Sequence, residues 1–167
     1  MSKKLLIASL ILSVNLVISG QNKVSTMQAM YIYNFLSHIQ WPAGSLGNQF
    51  IIGVYGNSDT YNDLVYYTNG RKVGTKSIKV VKITNIQDIS SCQVLFVPGS
   101  QFKNIQQIND LLANKPCLII SEKEGSTSLG STMEFINQGS KLGFRINTAV
   151  AKKQNLLISN RLIEMGV

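Results

Sequence analysis

The sequence predicts a single α/β domain: a mixed, mostly parallel sheet with helices on both faces and a C-terminal β-hairpin. Three observations predict it. The chain has 167 residues, a length for one domain. From residue 50 to residue 121, short apolar runs alternate with helix-period segments, the order of strands joined by crossover helices. After residue 131 the pattern becomes two short strands around a polar loop. Hydrophobic residues make up 44% and charged residues 14%. That is too apolar for a disordered chain and too poor in charge for a coiled coil. No internal repeat or linker divides the sequence.

The N-terminus reads as a leader. Met1–Lys4 is basic, Leu5–Ile18 is apolar, and Ser19-Gly20-Gln21-Asn22-Lys23 is small and polar. That order is a secretory signal peptide, with cleavage expected after Gly20. The apolar run is shorter than the roughly 20 residues of a membrane span. No Cys stands near the cleavage position, so lipoprotein anchoring is excluded. The expectation is a signal over 1–20 and an exported, periplasmic domain over 25–167.

The elements follow in order. Ser25–Ile39 reads as a helix, with Met27, Met30, Tyr31, Asn34, Phe35 and His38 on one stripe and Ser25 or Thr26 as cap. Pro42 bars its continuation. Phe50–Tyr55 is a buried strand ending at Gly56. Asn57 or Ser58 caps the next helix, which turns Tyr61, Leu64 and Val65 inward. Gly70–Thr75 is a turn. Ser77–Ile83 alternates Lys with Ile and Val, as a strand near an edge does. Gln93–Val97 is a buried strand stopped by Pro98-Gly99. Ser100 caps a helix carrying Phe102, Ile105, Ile108, Leu111 and Leu112. Cys117–Ser121 is a strand and Glu122–Gly130 a loop. Thr132–Ile136 and Lys141–Ile146 form the hairpin around Asn137-Gln138-Gly139-Ser140. Ala149–Gln154 and Ser159–Met165 are short helices.

Export changes two counts. Losing Lys3 and Lys4 leaves 14 basic residues against 8 acidic ones, a net charge of about +6. The densest basic group, Arg71, Lys72, Lys76, Lys79 and Lys82, suits an anionic partner or is a solvated face. It lacks interleaved aromatics, so nucleic acid is not an expected partner. Cys92 and Cys117 each precede an apolar run. In an oxidising compartment they are either a disulfide between neighbouring strands or two buried free thiols.

The search for chemistry finds little. Four zinc ligands drawn from His and Cys need four such residues, and the sequence has one His and two Cys. Gly56-Asn57-Ser58 opens a helix after a strand, where anions bind, but lacks both the dinucleotide and the P-loop pattern. Pro98-Gly99-Ser100-Gln101 does not meet the nucleophile-elbow pattern. Glu122 and Glu124 lie in a polar loop, which supplies neither a cleft nor shifted pKa values. No catalytic residue, cofactor or metal is expected, and the reading is binding.

The stretch Met30-Tyr31-Ile32-Tyr33-Asn34-Phe35, followed by His38-Ile39-Gln40-Trp41-Pro42, resembles the opening signature of the YfiR family of small periplasmic proteins. Further pieces fit in order: Ile52–Gly56, Cys92–Val97, Met133–Ile136, Leu142–Asn147 and Ile158–Leu162. The resemblance covers Ser25 to the C-terminus. Its signature residues, Tyr31, Asn34, Phe35, Trp41, Pro42, Phe144 and Asn147, read as structural. The Glu122–Gly130 loop and Glu134 depart from the pattern, so no pocket at that segment is carried over.

The resemblance implies a non-enzymatic regulator. The family's namesake represses a membrane diguanylate cyclase by binding its periplasmic sensor domain and is withdrawn by an outer-membrane lipoprotein. Related domains occur joined to sensor kinases. The implied partner is therefore the periplasmic domain of a membrane sensor, held in one signalling state by preferential binding. That reading predicts an exposed apolar patch or groove, or a homodimer. A small-molecule-binding module is the alternative. It predicts a pocket at the strand C-termini lined by Gly56, Asn57, Gly99 and Ser100.

Overall fold

The computed structural model describes residues 18–139 and 141–167, with side chains from residue 24 onward. Most of the expected leader and the hairpin residue Ser140 lie outside the described residues. Helix α1 (Ile18–Phe35) runs into a 3-10 turn (Leu36–His38) and the short strand β1 (Ile39–Gln40). Then come β2 (Gln49–Tyr55), α2 (Thr60–Thr68), β3 (Lys72–Val73) and β4 (Lys76–Ile83). β5 (Val94–Val97), α3 (Ile105–Leu111) and β6 (Leu118–Ser121) follow. The chain closes with β7 (Met133–Gln138), β8 (Lys141–Ile146), α4 (Thr148–Lys153), β9 (Leu157–Ile158) and α5 (Asn160–Met165).

The main sheet has the order β3-β4-β2-β5-β6-β7-β8. β4, β2, β5, β6 and β7 are parallel, and antiparallel β3 and β8 flank them. The α/β class, the mixed sheet and the late hairpin are as expected. β5 and β6 read as unbroken apolar runs because both of their faces are buried. Val94, Phe96, Leu118 and Ile120 point to one core with Ile32, Phe35 and Leu64. Leu95, Val97 and Ile119 point to the other with Ile105, Ile108 and Leu112 of the α3 segment.

The inward stripe of α1 is turned one position from the expected one. Ser25, Gln28, Ala29, Ile32 and Phe35 are buried, whereas Met30 is 43% exposed and Asn34 faces solvent. Two polar residues lie on the buried stripe, so a search for apolar spacing settles on its neighbour. Phe35 meets Phe144 edge-on at 4.8 Å between ring centres, and Tyr31 packs on both.

Other differences are local. Val65 of α2 points outward, because Thr60, Leu64 and Thr68, with Tyr61 and Tyr67 beside them, fill the inward face. The Gly70–Thr75 turn contains edge strand β3. Ser100 lies inside a 3-10 segment (Gly99–Asn104) and caps nothing; the amide of Gln101 donates to the carbonyl of Pro98. A second 3-10 segment, Ile86–Ser91, is capped by the Asn85 side chain and buries Ile89. β1 and β9 pair antiparallel as a separate ribbon, Ile39 opposite Ile158; two-residue strands carry no readable period.

The cysteines precede neighbouring strands, but one register step out of alignment. Leu118 stands opposite Val94, so the step before it sets Cys117 against Gln93. Both are buried, and the structure holds them as free thiols rather than the disulfide pair. Burial pushes the Cys92 thiol up to about 11 and that of Cys117 well above its ordinary value. A Cβ on Gly53 would come within 2.5 Å of the Cys92 sulfur, so this strand position has room only for glycine.

Candidate functional site

β2 sends its crossover to β4 on one side, and the chain then returns to β5 on the other side of β2. The loops leaving β2 and β5 therefore part, and open α/β sheets hold ligands in that crevice. A hollow of about 340 Å³ lies here, lined by Gln28, Asn57, Asp59, Pro98, Ser100 and Glu122 among others.

Its inner wall is a chain of hydrogen bonds. The Thr60 hydroxyl donates to Gln28 Oε1 (2.7 Å), Gln28 Nε2 donates to Glu122 Oε1 (3.3 Å), and the Gly99 amide donates to Glu122 Oε2 (2.6 Å). Gln28 and Thr60 are 2% and 1% exposed, so the amide of Gln28 is spent on holding α1 to α2 and to the loop after β6. Of the four residues expected here, Asn57 and Ser100 line the hollow. Gly99 supplies its amide to Glu122, and a Cβ on Gly56 would crowd Gln101. The carboxylate of Glu122 opposes an anion at this edge.

The opposite end of the sheet is apolar. Trp41 stands edge-on to Phe50 at 4.9 Å and donates its indole N–H to the carbonyl of Gln93 at 3.2 Å. Pro42, Ala43, Leu156 and Leu157 continue from it around an open groove of about 460 Å³. Leu157, on the β1–β9 ribbon, is 68% exposed. Of the remaining signature residues, Phe35 and Phe144 are buried in the core. Tyr31 donates its hydroxyl to the carbonyl of Leu142, the Asn34 carbonyl accepts from Ser37, and the Asn147 side chain caps α4 through the Val150 amide.

Glu134 and the Glu122–Gly130 loop are joined in one device. Glu134 is completely buried on β7. Its Oε2 accepts from the Thr127 amide at 2.8 Å and the Ser126 hydroxyl at 3.3 Å, and its Oε1 takes Arg145 Nη1 at 2.5 Å. Arg145 is its cross-strand partner on β8. Burial by itself raises the Glu134 pKa, but the hydrogen bonds from Thr127 and Gly125 and the Arg145 charge outweigh it and hold the carboxyl below its ordinary value. The Glu122–Gly130 loop is thus folded onto the hairpin through a carboxylate. In a single sequence a buried Glu looks like an exposed one.

Among the described residues, no three His, Cys, Asp or Glu side chains gather as a metal site, and no helix is long and apolar enough to cross a membrane. A family profile described as YfiR/HmsC-like matches residues 25–167. No curated protein matches the chain.

Proposed function

Because the chain belongs to the YfiR/HmsC-like family, a regulatory and non-catalytic one, we propose that it is an exported periplasmic regulator. It docks on the periplasmic domain of a membrane signalling protein, a diguanylate cyclase or a sensor kinase, and holds that protein in one state. An outer-membrane lipoprotein that competes for it completes the switch. Such a regulator needs no chemistry of its own; it shifts the sensor by the difference in its affinity for the two conformations.

The observation that carries the reading is the apolar groove around Trp41, Pro42 and Leu157. Its rim leucine is 68% exposed, turned outward on β9 as Ile158 turns to the core. Capture of solubilised native membrane proteins on the immobilised chain tests the reading. Leu157→Asp is expected to abolish capture of the sensor while leaving the melting temperature unchanged. Equal capture by the variant, or no capture of a membrane sensor by the parent chain, overturns it. Phe35→Ala is a poor probe, since Phe35 is 1% exposed and belongs to the core.

The switch-point crevice favours a second reading, a ligand-binding module of a sensory system. Ligand-induced resonance shifts at Asn57 and Ser100, in the absence of any captured membrane protein, would support it.

A further inference from the structure

The two edges of the main sheet are finished differently. At β8 the outward carbonyls are taken by the chain itself: Leu142 accepts from the Tyr31 hydroxyl at 3.1 Å, and Phe144 accepts from the Val167 amide at 3.0 Å. At β4 the cover stops early. Strand β3 pairs only with Lys76 and Ser77, and the Ile78 amide donates to the Arg71 carbonyl at 3.0 Å. The Ile83 carbonyl turns the other way and accepts from the Gly56 amide, next to β2, at 2.8 Å. Main-chain groups alternate in direction along a strand, so those of Val80 and Lys82 point outward with that of Ile78. Among the described residues no backbone or side-chain group meets them. The open stretch, residues 79–83, is about 16 Å long at roughly 3.3 Å per residue, enough for one short strand.

The charge along this edge has one sign. Lys79 and Lys82 are exposed on β4, Arg71 and Lys72 are exposed at the β3 end, and Lys76 is half-buried between them. Ile78 and Val80 pack into one core and Val81 and Ile83 into the other. By the same alternation Lys82 projects on the first face of the edge and Lys79 on the second. The ion pairs of the described residues all belong to Arg145, so the chain does not neutralise these lysines itself. Arg71 lies over the Tyr33 ring at 4.6 Å, a contact that leaves its charge intact. Lysines on an edge strand keep two copies of that edge from pairing. The same charges draw in a strand of opposite sign.

We propose that residues 79–83 of β4 receive an extended acidic segment of another protein, added to the seven-stranded sheet through main-chain hydrogen bonds, with its carboxylates against Lys79 and Lys82. A second copy of this edge would set lysine against lysine. A membrane surface would use the charge and leave the outward amides unbonded. The edge shares no residue with the Trp41 groove, and the inference does not rest on the docking reading.

The test uses the full, isotope-labelled chain and an acidic peptide of about ten residues that alternates Glu with Thr. A peptide alternating Lys with Thr and vesicles of phosphatidylglycerol are the comparisons. The acidic peptide is expected to shift the Val80 and Lys82 amide resonances, to slow their hydrogen exchange, and to bind more weakly as salt is added. The double change Lys79→Glu and Lys82→Glu, at two exposed positions, is expected to leave the melting temperature unchanged and to weaken binding about tenfold or more. Val80→Pro, which deletes one outward donor at an edge where proline is tolerated, is expected to weaken it as well. Exchange is read on the parent chain and decides the matter even if the proline variant does not fold. Unchanged exchange at Val80 and Lys82 under saturating acidic peptide overturns the proposal. So does equal protection by the basic peptide, protection that grows with the concentration of the free chain (the mark of a second copy), or binding of the vesicles with no binding of the acidic peptide.

Discussion

The crevice behind β2 and β5 and the groove between α3 and α4, beside Gln154, are both open, polar hollows, about 340 and 500 Å³ in volume. Each has a glutamine amide, nearly inaccessible to water, in its wall. They differ in what that amide is bonded to. Gln28 has both ends occupied, by Thr60 and Glu122, and so joins two helices and a loop. Gln154 has one end occupied and the other vacant. A pocket whose buried polar groups are all satisfied is explained by its own architecture. One that leaves a buried amide end unmatched holds a group that its own architecture does not explain.

The Glu134 cluster is the limiting case of internal satisfaction, and breaking it is expected to have the largest effect. Glu134→Ala leaves the buried Ser126 hydroxyl and Thr127 amide without their acceptor, each at about 1–3 kcal/mol, while Arg145, 43% exposed, is left to solvent. Urea unfolding should show this as a lower midpoint at an unchanged slope. A loss below 1 kcal/mol would mean that the loop does not depend on the carboxylate.

The same group makes stability pH-dependent. Its folded pKa is depressed, so its contribution is complete above the unfolded Glu value of about 4.3. It disappears as the pH falls through the lower, folded pKa. Stability should therefore decline from about pH 4.3 downward, and Glu134→Gln should flatten that part of the curve. An unchanged acid limb in the variant would place the dependence on other carboxylates.

A smaller effect sharpens the comparison itself. Gln28→Leu leaves the Thr60 hydroxyl buried without an acceptor and should cost about 1–3 kcal/mol in the same unfolding measurement. If the substitution is neutral, the Gln28 chain is no more structural than Gln154, and the contrast between the two hollows fails.

The fold was legible where burial follows a simple period. β2, β5 and β6 are continuous apolar runs because both faces are covered, and β8 alternates because one is not. Legibility failed where buried positions are polar. Ser25 and Gln28 hid the true stripe of α1. Glu134 and Gln154 have no local signature, since their environment is built by residues far away in sequence: Gln154 meets Thr132 and Ile119, and Glu134 meets Arg145. Asn57 and Ser100 were legible as residues at the strand C-termini and stand in the crevice wall, but what fills the inner wall, Gln28 and Glu122, was not. The exposed Leu157 stands on a two-residue strand that no window resolves.

The β1–β9 ribbon has a temporal consequence. The Ser159 amide donates to the carbonyl of His38, and Ile158 lies opposite Ile39. The segment that follows the first helix is thus clasped by residues distant along the chain, with His38 and Ser159 separated by 121 positions. Pairings this distant along a polypeptide form slowly, because the intervening loop must be ordered first. The clasp is therefore among the slower contacts to form, and the apolar groove beside it is complete only once the two distant segments have met.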